Sequence, residues 1–89
     1  MGFDRYLTEL QKMKPPTFDG TGDLDDWLAE LEILLEGMRF PDQRKVEVVQ
    51  YLLKENAAKW WRVYKPEGRV VFWEEFRSML VEEIGRAHV

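Results

Sequence analysis

Between Leu24 and Met38 the apolar side chains recur at steps of three and four: Leu24, Trp27, Leu28, Leu31, Leu34, Leu35 and Met38. A half-buried strand needs steps of two, so this stretch reads as a helix with one hidden face. Asp23 stands where an N-cap carboxylate accepts a free amide at a helix start. Asp25 and Asp26 follow in the first turn, where the helix dipole favours negative charge. Glu30, Glu32 and Glu36 fall on or beside the wet face. Gly37 lies near the end, and Phe40-Pro41 stops the helix.

A short amphipathic helix is marginal alone and needs partners. The rest of the chain supplies them. Asp42 is placed to cap a second helix whose apolar side carries Val46, Val49, Tyr51, Leu52 and Leu53. Lys54-Glu55-Asn56 weakens the pattern before a third helix with Ala57, Ala58, Trp60, Trp61 and Tyr64. Adjacent helical positions point about 100° apart. One of Trp60 and Trp61 therefore enters the core and the other sits at a boundary or interface; the sequence leaves open which. Pro66-Glu67-Gly68 makes a turn, and Arg69 to Phe72 is an extended lead-in. A last helix runs from about Trp73 to Ile84, with Trp73, Phe76, Met79, Leu80 and Ile84 on one face and Gly85 at its end.

At the other end, Phe3, Tyr6, Leu7, Leu10 and Met13 share a helical face, so residues 1–13 are a docked short helix or a loose arm. Lys14 to Gly22 holds two prolines and two glycines around Phe18. It reads as an extended segment ending in a turn. Either Phe18 plugs the core, or the segment offers an edge to another chain or a peptide. With 89 residues there is room for one domain. The expected fold is all-α, a small four- to five-helix bundle with an extended Pro-rich N-terminal segment. The domain spans residues 14–85, and 86–89 form a loose tail. The expected core is Trp27, Leu28, Leu31, Leu34, Leu35, Val49, Leu52, Leu53, Trp73, Phe76 and Leu80. Four Trp supply large buried areas to a chain whose size makes it marginal.

Residues that carry chemistry are scarce. There is no Cys, which excludes disulfides, thiolate zinc sites and a Cys nucleophile. The one His, His88, is in the tail, where no triad base could be held in place. Ser78 lies on the last helix between Arg77 and Met79 and reads as a surface or boundary residue rather than a nucleophile. Asp19, Asp23, Asp25 and Asp26 do not follow the alternate spacing of a calcium loop, and capping explains them. The expectation is no enzyme, no cofactor and no metal. The net charge is -4, and the pairs Lys12/Lys14 and Arg44/Lys45 have acidic neighbours, so no nucleic-acid contact is expected. The longest apolar runs, such as Ile33-Leu34-Leu35, are too short to span a bilayer. Met1-Gly2 lacks the Ser or Thr that myristoylation needs at position 6, where Tyr6 stands. A cytoplasmic protein without membrane contact is expected.

Several of these pieces fall in one order: Pro15-Pro16-Thr17-Phe18-Asp19-Gly20, an acidic linker, Trp27-Leu28, Met38, Pro41-Asp42, the run Val46 to Leu53, Ala57 with Trp60-Trp61, and Trp73-Glu74-Glu75-Phe76. This order resembles the capsid N-terminal lobe of gypsy-class long-terminal-repeat retrotransposon Gag proteins, over about Lys14 to Ile84. The resemblance implies a helical lobe of retroviral capsid type that self-associates into a homo-oligomer such as a dimer. It also implies a second helical lobe and a zinc knuckle further on; without Cys, the knuckle is not in these residues. Domesticated, Arc-like Gag lobes are related and bind extended peptides, so the alternative function is a peptide-binding adaptor. By that analogy the protein-interaction residues are Phe18, Trp27, Trp60, Trp61 and Tyr64. Two departures stand out. The family usually has Gly in the junction where Glu55 stands, so the second and third helices are expected to run on as one bent helix or to turn at Asn56. The family often has Thr or Ser before Trp-Glu-Glu-Phe. Phe72 has no capping oxygen, which costs that helix start about 1 kcal/mol.

Overall fold

Asp23 opens the central helix as its position requires: its carboxylate accepts from the Asp26 amide at 3.1 Å. The computed structural model describes residues 2–84, with side chains from Arg5 onward. Gly85, the 86–89 tail and His88 lie outside the described residues. Five helices follow in order: α1 (Gly2–Lys12), α2 (Leu24–Met38), α3 (Asp42–Val49), α4 (Glu55–Tyr64) and α5 (Trp73–Glu83). A 3₁₀ turn over Gln50–Leu52 extends α3. Among the described residues the only extended pairing is an isolated parallel bridge, Phe18 to Leu53. The protein is an all-α bundle.

That bridge ties the Pro-rich segment into the bundle. The Phe18 amide donates to the Leu52 carbonyl at 3.0 Å, and the Lys54 amide donates to the Phe18 carbonyl at 2.8 Å. The Phe18 ring stacks on Trp27, centroids 5.4 Å apart. The Trp27 indole N–H donates to the Pro16 carbonyl at 2.9 Å. The Asp19 carbonyl then accepts from Ala57 at 3.3 Å, at the start of α4. Gly20 is needed beside it, because its φ is +104° and a Cβ there would press on Asn56 Cβ at 3.3 Å.

Of the expected core, Trp27, Leu28, Leu31, Leu35, Val49, Leu52, Leu53, Trp73, Phe76 and Leu80 are buried. Leu34 is only half-buried. It stands at the margin of the α2 stripe and lines a groove between α1 and α2 instead. Tyr51 is exposed and Val48 fully buried. Tyr51 lies about 200° around the helix axis from Val49, opposite the stripe that α3 buries, so regular helical spacing already turns it to solvent. α1 docks rather than trailing as an arm. Leu10 is fully buried, and the Tyr6 ring meets Phe40 edge-on at 5.2 Å.

The central helix stops before Phe40-Pro41, with Arg39 closing it in the left-handed conformation, φ 54° and ψ 45°. Two other helix ends depart from expectation. Asp42 is the first residue of α3 rather than its cap; Pro41 takes the cap position with no side-chain bond, and Asp42 pairs with Lys45 at 3.4 Å. The α3–α4 junction neither runs on as a bent helix nor turns at Asn56. Leu53 is extended, and Glu55 itself takes φ +50°. Holding a Cβ-bearing residue there costs roughly 1–2 kcal/mol. Phe72 indeed provides no side-chain cap for α5. The loop before it is pinned by Arg69, whose guanidinium grips both carboxylate oxygens of Glu75.

Three outcomes follow from this arrangement. Trp27→Ala removes the stacking surface and the partner of Pro16, and is expected to cost roughly 3–5 kcal/mol in urea unfolding, most of a small domain's stability; a variant that melts like the parent would refute this packing. At position 55, Glu55→Gly should be more stable than Glu55→Ala by about 1 kcal/mol, the reverse of the order inside a regular helix; unfolding midpoints of the two variants decide it. The hydrogen bond from Arg69, aided by its charge, holds the Glu75 carboxyl below its ordinary value. The pair's stabilisation is therefore complete above the unfolded carboxylate value, about 4.3, and fades as pH falls through the lower folded value. Arg69→Ala should return Glu75 to the ordinary range in an NMR titration.

Candidate protein-interaction surface

On α4 the stripe that faces inward contains Ala57 and Trp61, four residues apart and both buried. The Trp61 indole N–H donates to Gln50 Oε1 at 3.1 Å, and its ring meets Phe76 edge-on at 5.0 Å. Trp61 is thus the core member of the pair. Trp60, one residue earlier, is half-buried and turns toward Tyr64, their rings 5.5 Å apart. Val63 points away from the core and is 74% exposed; Tyr64 is 56% exposed.

The five expected interaction residues therefore do not form one surface. Trp60 and Tyr64 share an outward patch. Phe18, Trp27 and Trp61 are buried, each with less than a tenth of its surface open. These three side chains are part of the core in this structure, with Phe18 and Trp27 engaged with each other and Trp27 with the Pro-rich segment. The Phe18 backbone spends both its amide and its carbonyl inside the chain. It offers no free edge at that residue.

The outward residues missed from sequence are aliphatic. Ile33 on α2 is 70% exposed. With Leu34, Gly37 and Met38 it borders the groove of roughly 720 Å³ between α1 and α2, whose other wall includes Tyr6 and Met13. The signal was present: Ile33 and Val63 are the apolar residues out of phase with the buried stripe of their own helices.

The acidic residues near α2 have structural work. The Asp19 carboxylate accepts from the Thr21 hydroxyl at 2.7 Å and the Thr21 amide at 2.9 Å. Those bonds, the hydroxyl's first, hold its carboxyl below the usual carboxylate value. Asp23 caps α2. Glu32 accepts from the Trp73 indole N–H at 3.0 Å and lies 3.7 Å from Arg77. Among the described residues no group of three or more His, Cys, Asp or Glu is disposed to hold a metal ion. Ser78 is exposed on α5. No helix among them is long and apolar enough to cross a membrane.

The outward faces of α2 and α4 thus leave Ile33, Val63 and Tyr64 open to solvent. Residues 12–83 match the family described as "Retrotransposon-derived protein PEG10, N-terminal capsid-like domain". Neither a curated protein nor a solved structure matches the chain. The matched stretch takes in the Pro-Phe segment, the central helix, the tryptophan pair and α5 up to Glu83. The chain belongs to this family of retrotransposon-derived, capsid-like domains.

Proposed function

We propose that this capsid-like domain is a non-catalytic structural module that associates with copies of itself. The observation that carries the reading is apolar surface left over after the core is closed. Ile33 and Val63 are each at least 70% exposed on helices whose inward faces are fully used. Tyr64 and Met13 add to that surface. Isolated exposed aliphatics are ordinary, but Ile33 and Met13 line one groove and Val63 adjoins Tyr64, and adjoining apolar side chains favour contact with protein. Membership in a capsid-like family supports the same role.

A catalytic reading has little to use. The chain contains no Cys, and its one His, His88, lies outside the described residues. A peptide-binding adaptor would need surface other than Phe18, Trp27 and Trp61, and no observation favours it over self-association.

Sedimentation velocity across a wide range of protein concentration and salt tests the proposal. The mean sedimentation coefficient should rise with concentration. A strict monomer at every concentration and salt would overturn it.

A further inference from the structure

Charge is segregated along this chain. Residues 19–36 contain Asp19, Asp23, Asp25, Asp26, Glu30, Glu32 and Glu36 and no basic residue. Residues 54–65 contain Lys54, Lys59, Arg62 and Lys65 against the single acid Glu55. The first stretch includes α2 and the second includes α4. Both helices also carry the most exposed aliphatic side chains, Ile33 and Val63.

Helical geometry puts these features on one face in each case. On α2, Asp26, Ala29, Glu30, Glu36 and Gly37 lie within about 60° of Ile33 around the helix axis. All are exposed. The face is an aliphatic knob beside two small residues, rimmed by three carboxylates. On α4, Lys59 and Arg62 flank Val63 on one side, and Trp60 and Tyr64 flank it on the other. Lys59 and Arg62 are exposed. The described ion pairs use none of these five charged side chains.

We infer that the α2 face of one copy docks on the α4 face of a second copy, Ile33 against the Val63–Trp60–Tyr64 surface, with Asp26, Glu30 and Glu36 set against Lys59 and Arg62. The inference rests on the self-association reading and names the surface it uses. Charge complementarity identifies the occupant: the α2 face is acidic, the α4 face is basic on balance although Glu55 lies one turn before Lys59, and both belong to the same chain. Two unlike faces of one molecule make a contact that can propagate from copy to copy. A contact built from two single-helix faces is smaller than the roughly 800 Å² per partner of a standard stable interface. Each contact is therefore weak and salt-sensitive, since rim charges are screened as ionic strength rises.

Charge reversal tests this without touching the core. One variant carries Glu30→Lys and Glu36→Lys; the other carries Lys59→Glu and Arg62→Glu. Circular dichroism melting confirms that both fold. Each variant alone should associate at least about tenfold more weakly than the parent in sedimentation at low salt. Mixing the two should restore association, because the now basic α2 face meets the now acidic α4 face. Parent association that survives both reversals, or a mixture that stays as weak as its parts, overturns the α2–α4 contact while leaving self-association intact. A parent that never associates overturns both. Reversals at Lys59 and Arg62 that leave sedimentation unchanged but abolish binding of a single-stranded oligonucleotide would also overturn the inference and assign the basic face to nucleic acid.

Discussion

Everything else in this bundle depends on Phe18. Its ring stacks on Trp27, while its backbone bridges to Leu52 and Lys54. One residue thereby joins an extended segment, the first turns of α2 and the α3–α4 junction. The prolines on its N-terminal side make this economical. Pro15 and Pro16 have no amide to satisfy, and they restrict the chain to extended conformations before folding. The carbonyl of Pro16 then satisfies the Trp27 indole. A segment with little structure of its own closes the bundle because its few polar groups match what the helices leave unpaired.

The indoles show the same rule at three sites. Trp27, Trp61 and Trp73 are buried, and each donates its N–H to a named acceptor: Pro16, Gln50 and Glu32. Each thus adds a large apolar area without an orphaned donor. The Glu32–Trp73 bond spans 41 residues of sequence and locks α2 to α5. Strain is concentrated at the helix boundaries. Arg39 and Glu55 take left-handed backbone that glycine would adopt freely, and the packing on either side holds them there. The Phe18 bridge is one such restraint, since it fixes Leu53 in the extended form that Glu55 must follow.

Closing the core determines what is left outside. Because Trp61 turns inward to Phe76, Trp60 is left half-buried at the margin of the core, Tyr64 turns outward and Val63 is stranded in solvent. The α2 stripe that packs on α5 leaves Ile33 among carboxylates on the opposite side. The uneven surface of the domain is thus set by helix phase.

Helix existence, the Asp23 cap and most of the buried positions were legible in the order of residues, because apolar periodicity and capping are local. The exceptions are instructive. Tyr51 escapes the core since it stands opposite Val46, Val49 and Leu53 around the helix, a phase that the apolar pattern itself carries. Leu34 sits at the stripe margin, where exposure depends on how closely α1 approaches. Trp27 was legible as core, whereas the choice between core and edge for Phe18, and between Trp60 and Trp61, was not. Burial depends on which partners arrive from distant sequence. Periodicity alone thus specified a small all-α bundle with one strong central helix. Only the folded contacts chose Trp61 over Trp60, put Glu55 in a left-handed turn, and spent the Phe18 edge internally, because each choice is settled by atoms brought together from separate parts of the chain.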